Sequence, residues 1–223
     1  MTNSGTDQVS IILGKGNGAF GAPATFTVRS GVKPPTGYFP VYVSVDDFNA
    51  DGNLDLVVAN FFSSTATILL GKGNGAVGKP QNFLVGNSPL AVLTGDFNRD
   101  GRRDFITSNQ AGGTVSLYLG KGNGTFQVES SFPSKERADQ IAVADFNNDG
   151  IADLAMADGG LGFNGNTVSV FLGNGKGGFG AETVLNTGQD PNSVTAADFN
   201  HEDECDEVVG RGRTLAGAQT TSK

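Results

Sequence analysis

Tryptophan is absent from this 223-residue chain, histidine and cysteine occur once each, and methionine twice. Each scarcity removes a class of chemistry. A single thiol, Cys205, forms no internal disulfide, so no covalent staple supports the fold. A lone histidine, His201, leaves no choice of partners for a Ser-His-Asp or Cys-His arrangement, and no G-x-S-x-G elbow is present. Zinc sites built from histidine and cysteine are likewise out of reach. No apolar run approaches the ~18 residues that span a bilayer, so membrane insertion is not expected. The opening MTNSGTDQ has neither the charged nor the apolar region of a secretory leader, so any export signal is expected to have been removed or to lie elsewhere. Basic residues are outnumbered 15 to 23 by acidic ones, and no basic stripe exists to displace counterions, which argues against a nucleic-acid partner.

What the chain has is glycine, 34 residues of it, and a repeat. The string VDDFNADGNLDLVVAN at 45–60 returns as GDFNRDGRRDFITSN and ADFNNDGIADLAMAD, and once more, altered, as ADFNHEDECDEVVG. Asp47, Asp96 and Asp145 lie 49 residues apart, with Asp198 following after 53. A second landmark keeps step: LGKGNG begins at Leu13, Leu70 and Leu119, and LGNGKGG at Leu172.

Between landmarks each repeat reads as four short strands, A to D, rich in Val, Ile, Leu and Thr and bounded by glycine or polar clusters. Helical spacing is absent. A tandem four-stranded antiparallel unit of this length is the mark of a β-propeller blade, which cannot bury both faces alone and does so by stacking on its neighbours. The fold class expected is therefore all-β, a propeller in a single domain over 1–223, with repeats near 41–90, 91–139, 140–192 and 193–210. The last has only A and B strands, and residues 9–30 have only C and D. Together they are expected to form one composite blade that clasps a four-bladed ring, the alternative being part of a seven- or eight-bladed ring. Residues 1–8 and 211–223 read as disordered tails.

The acidic loops read as calcium sites. Calcium takes 6–8 oxygen ligands, and a loop with side-chain oxygens at positions 1, 3, 5 and 9, a carbonyl at 7 and glycine at 6 can wrap it. The first loop offers Asp47, Asn49, Asp51, the Asn53 carbonyl and Asp55. The second offers Asp96, Asn98, Asp100, the Arg102 carbonyl and Asp104, and the third Asp145, Asn147, Asp149, the Ile151 carbonyl and Asp153. An EF-hand is excluded, because position 12 is Val58, Thr107 or Met156 rather than Glu. Magnesium, which keeps several of its waters, fits less well. In the fourth loop, Asp198, Asn200, Glu202 and Asp206 lack the turn glycine, so weak or no binding is expected there.

The strings DFNADGNLDLVVAN, TVSVFLGNGKGGFG and the FGAP at 20–23 resemble FG-GAP or VCBS-type repeats, the calcium-binding propeller repeats of integrin α-chains and many bacterial secreted proteins. The resemblance runs from about Val9 to Gly210. It implies the blade and its calcium, but no particular activity. The chain departs from the family in its low repeat number and in the unpatterned tail RGRTLAGAQTTSK.

GNGAFG and GNGAVG match a dinucleotide-binding pattern, but no helix follows to hold a phosphate, so turn glycines are the better account. Strand parity places the calcium loops and the LGKGNG turns on one face of the propeller. The variable segments on the other face supply the ligand candidates Tyr38, Phe39, Phe61, Phe62, Asn109, Gln110, Asp158 and Phe163. The function expected is a calcium-stabilised, extracellular or periplasmic binding or adhesion module for a glycan or protein. A calcium-dependent hydrolase or lyase using carboxylates of that face is the alternative. The chain is expected to be a monomer or a ring-completing dimer.

Overall fold

Strands follow one another through the described residues because runs of Val, Ile, Leu and Thr alternate with tight glycine turns. The computed structural model describes residues 1–30, 37–134, 139–159, 165–197 and 206–211. Among these, the only helical element is a 3-10 turn at Ser4–Thr6. The strands are β1 (Thr2–Asn3), β2 (Gln8–Ile11), β3 (Ala24–Thr27), β4 (Pro40–Asp46), β5 (Asp55–Asn60), β6 (Thr65–Leu69), β7 (Gln81–Leu84), β8 (Pro89–Gly95), β9 (Asp104–Asn109), β10 (Thr114–Gly120), β11 (Phe126–Pro133), β12 (Gln140–Ala144), β13 (Asp153–Asp158), β14 (Thr167–Phe171), β15 (Thr183–Asn186), β16 (Pro191–Ala197) and β17 (Asp206–Arg211).

They form antiparallel sheets in sequence order: I (β1–β3), II (β4–β7), III (β8–β11), IV (β12–β15) and V (β16–β17). Sheets II to IV are the expected up-and-down, four-stranded blades. Each sheet stacks on the next, so the core is a series of layers. Val9, Val28, Val58 and Leu69 lie between I and II. Val57, Ile68, Phe105 and Tyr118 fill the space between II and III. Ile106, Leu117, Leu154 and Met156 lie between III and IV, and Ala155, Val168 and Val194 between IV and V. The middle strands of a blade are thus covered on both sides. This is why β5 and β9 are buried almost residue by residue and lose the in-out alternation of a one-faced strand.

Strands β4, β8 and β16 each start with a proline and a register shift, at Pro40/Tyr42, Pro89/Ala91 and Pro191/Ser193. Proline has no N–H to give the ladder, and the bulge absorbs the mismatch.

The composite blade expected from residues 193–210 and 9–30 is not formed among the described residues: there β17 pairs with β16 alone, and sheets I and V share no strand pairing. The edge of β2 that β17 would need is occupied by β1, through Thr2 opposite Val9 and Asn3 opposite Gln8. For the same reason residues 1–8 are not a loose tail. Asp7 is buried, accepts hydrogen bonds from the Tyr38 and Phe39 amides at 2.9 and 3.1 Å, and pairs with Arg29 Nε at 3.1 Å.

Candidate metal centre and the opposite face

The three acidic loops share one hydrogen-bond pattern. The position-1 carboxylate accepts from the glycine amide at position 6, over 2.8 Å for Asp47–Gly52, 2.9 Å for Asp96–Gly101 and 2.6 Å for Asp145–Gly150. The position-3 amide group donates to the position-5 carboxylate, as Asn49 to Asp51, Asn98 to Asp100 and Asn147 to Asp149, at 2.9, 3.1 and 2.9 Å. Position 5 in turn accepts from the position-7 amide of Asn53, Arg102 or Ile151. The glycines have φ of 81°, 78° and 76°. Position 4 is left-handed too, at Ala50, Arg99 and Asn148. The sequence offered no signal for this, since only Asn148 is a residue that readily adopts such a φ.

Position 9 has a structural role that spacing did not reveal. Asp55, Asp104 and Asp153 are fully buried. One oxygen of each accepts from the position-2 amide of its own loop, Phe48, Phe97 or Phe146, at 2.8–2.9 Å. The other accepts from the first glycine of the C–D turn, Gly71, Gly120 or Gly173, at 2.7–2.8 Å. Each carboxylate therefore ties the acidic loop to the neighbouring turn, which confirms that the two lie on one face.

Among the described residues no group of three or more His, Cys, Asp or Glu side chains forms a ready-made metal cage. The donor set nevertheless suits a hard cation. Every group offered is oxygen, and a carboxylate that accepts one or two amide hydrogens retains lone pairs. Burial pushes the Asp104 carboxyl up to about 6, against its bonds from Gly120 and Phe97, and the charges of Asp100 and Asp96 raise it further. Burial likewise raises Asp55, with Asp51 and Asp47 adding to it. Asp51 is lowered by the Asn53 amide and then by Asn49. Three acids crowd each loop, and a cation would relieve their repulsion. In the fourth loop Asp198, Asn200 and Glu202 lie outside the described residues, and Asp206 opens β17.

On the opposite face the candidates divide. Phe39, Phe61 and Phe62 converge, with ring centroids 4.6 Å apart for Phe39–Phe62 and 5.4 Å for Phe61–Phe62. Backbone bonds from Phe61 to Phe39 and from Phe62 to Tyr38 fix the cluster, which leaves Phe39 36% and Phe62 48% exposed. Three other candidates are structural instead. Tyr38 is buried and its hydroxyl donates to the Ser30 carbonyl at 3.0 Å. Asn109 is buried, donating to Thr114 and Ser116. Asp158 is buried, accepting from Thr167 and Ser169. Asn60 occupies the matching place in blade II, bonded to Thr65 and Thr67. The even 49-residue spacing of Asn60, Asn109 and Asp158 was the available sign of a repeated internal latch. Gln110 donates to Asp139 at 2.6 Å, and Phe163 lies outside the described residues.

FG-GAP-like repeats match residues 47–107 and 96–156, the stretches that contain the three loops. The chain is an FG-GAP-like repeat protein. No curated protein sequence matches it. Among solved structures, the repeat protein resembles an Agrocybe aegerita lectin, described as specifically recognising non-reducing terminal N-acetylglucosamine. The two share 23% identity at a TM-score of 0.54, over 81% of this chain and 47% of the lectin. A functionally unknown protein from Desulfotomaculum acetoxidans gives 18% identity and a TM-score of 0.57, over 82% of this chain and 56% of its own. BBS1N, in complex with ARL6DN, gives 15% and 0.53, over 84% and 52%. These likenesses establish the β-propeller-type fold. The repeat protein spans about half the length of each structure.

Proposed function

We propose that this protein is a calcium-stabilised binding module that works outside the cytoplasm and recognises a glycan or a protein through the face opposite its metal loops. The observation that carries the reading is the threefold loop. Asp47, Asn49, Asp51, the Asn53 carbonyl and Asp55, with their counterparts in the next two loops, would hold the ions. When bound, calcium supplies positive charge to a crowded set of carboxylates and fastens each A–B hairpin to its blade. At a free concentration ten times Kd each ion adds about 1.4 kcal/mol, so three add about 4 kcal/mol, a large share of a typical fold's stability.

The Phe39–Phe61–Phe62 cluster is an exposed aromatic surface among the described residues of the other face, and flat aromatic rings suit the apolar face of a sugar. The lectin neighbour makes N-acetylglucosamine-terminated glycans the first probes. No observation favours the hydrolytic alternative, and its leading carboxylate, Asp158, is buried. Calcium titration by calorimetry, followed by a glycan array run on the wild type and on Phe62→Ala, tests the reading. Three sites and a glycan signal lost in the variant are expected. A chain whose melting temperature is the same in calcium and in chelator would overturn the calcium part. A glycan signal that survives Phe62→Ala would overturn the aromatic part.

A further inference from the structure

The three acidic loops share their backbone and their internal bonds but not their charge. Residues 47–55 and 145–153 carry three aspartates and no base. Residues 96–104, DFNRDGRRD, carry three aspartates and three arginines, Arg99, Arg102 and Arg103. The middle loop therefore has no net formal charge, while its neighbours each have three negative charges.

The arginines go three ways. Arg103 reaches the preceding blade, where its Nε lies 3.1 Å from Oδ1 of Asp46. Asp46 is outside the proposed ligand set, so this pair cancels a neighbouring charge and leaves the ligands of the first loop without a base. Arg99 runs toward the following blade, past Gly150 and Gly175. Arg102 turns back over its own blade: its stem lies against Gly122, and Nη1 is 3.7 Å from Oδ2 of Asp100, the position-5 carboxylate. That oxygen also accepts from the Asn98 side chain at 3.1 Å, while Oδ1 accepts from the Arg102 amide at 2.9 Å. Asp51 and Asp149 take the same two bonds, at 2.9 and 2.8 Å in each case. Position 7 in their loops is Asn53 or Ile151. On one shared geometry, then, only the middle loop places a cation of its own on a ligand oxygen.

With the loops read as calcium sites, we infer that the three are unequal: Arg102 makes the middle one the weakest, so the first and third loops fill first and the middle loop fills only at higher calcium. A guanidinium keeps its charge throughout the accessible pH range and already lies on an oxygen of Asp100, so an entering ion must displace it and then bind beside it. A unit charge roughly 6 Å from a doubly charged ion weakens binding about tenfold even at the dielectric of water. Salt screening reduces this repulsion. The side chains of Arg102 and Asp100 are 54% and 32% exposed, so the lost ion pair itself adds little, and repulsion is the larger effect.

The amides of Gly52, Gly101 and Gly150, each bonded to the position-1 carboxylate of its loop, report the sites one by one. A calcium titration of the isotope-labelled full chain at low salt, followed by NMR, should move Gly52 and Gly150 first and Gly101 at about tenfold higher calcium. Arg102→Asn, which installs the residue of the first loop, should bring the Gly101 midpoint down to the others, whereas Arg102→Lys, which keeps the charge, should leave it high. The reciprocal Asn53→Arg should raise the Gly52 midpoint by a similar factor without moving that of Gly150. A Gly101 midpoint at or below the other two, a midpoint unmoved by Arg102→Asn, or a Gly52 midpoint unmoved by Asn53→Arg would each overturn this inference and leave the calcium sites standing. No response to calcium at any of the three glycines would overturn the calcium reading itself, and this inference with it.

Discussion

Replacing Asp104 with alanine separates the proposed metal-ligand role of the position-9 carboxylate from the structural one. In the structure it is fully buried and accepts the Phe97 amide at 2.8 Å and the Gly120 amide at 2.8 Å. Without it both backbone N–H groups lose their partner inside the protein, at about 1–3 kcal/mol each, or roughly 2–6 kcal/mol together. Part of this is offset, because the carboxylate is itself poorly solvated and its pKa is raised to about 6. For a chain of this size each kcal/mol moves the melting temperature by about 2–4 °C, so a loss of about 5–20 °C is expected. The decisive condition is chelator. With no metal to lose, Asp104→Ala should still melt far below the wild type, whereas Asp100→Ala, an exposed loop position, should melt close to it. In calcium both variants should also lose the stabilisation of one site. Thermal unfolding followed by circular dichroism reads all four values. Equal melting temperatures for Asp104→Ala and wild type in chelator would refute the claim that this side chain staples the loop to the turn.

Two further outcomes follow from the same packing. A Cβ built on Gly71 would overlap the Leu54 carbonyl oxygen, and one on Gly120 would overlap that of Arg103, whereas Gly5 has nothing within 4 Å. Chemical denaturation should therefore show Gly71→Ala and Gly120→Ala destabilised by about 2 kcal/mol or more, with Gly5→Ala near neutral. Burial raises the Asp139 carboxyl, against the bond from Gln110. A raised acid binds its proton more tightly in the folded state, so stability is lost as pH rises from the ordinary carboxylate range through the folded value. Asp139→Asn should accordingly gain on the wild type as pH is raised toward neutrality in a pH series of melts, and a constant difference between the two would contradict this.

The repeat, the blades and the acidic loops were all legible in the chain, because each rests on local chemistry. A 49-residue spacing, a glycine with positive φ at Gly52, Gly101 and Gly150, and short strands rich in Val and Ile need only near neighbours to take effect. Whether Tyr38, Asn109 and Asp158 meet solvent was not legible, since that depends on what strands far along the chain bring against them. Asp7 reaches across 31 residues to the Tyr38 amide, and no short-range pattern announces such a bond.

What the sequence determined by itself was the unit: four strands, one oxygen-rich loop and one glycine turn, fixed by periodicity and backbone sterics. Only the tertiary structure decided which strand takes an edge: among the described residues β1 holds the place at β2 that β17 was expected to fill. Pairing at an edge goes to whichever strand is geometrically at hand, and composition does not encode that.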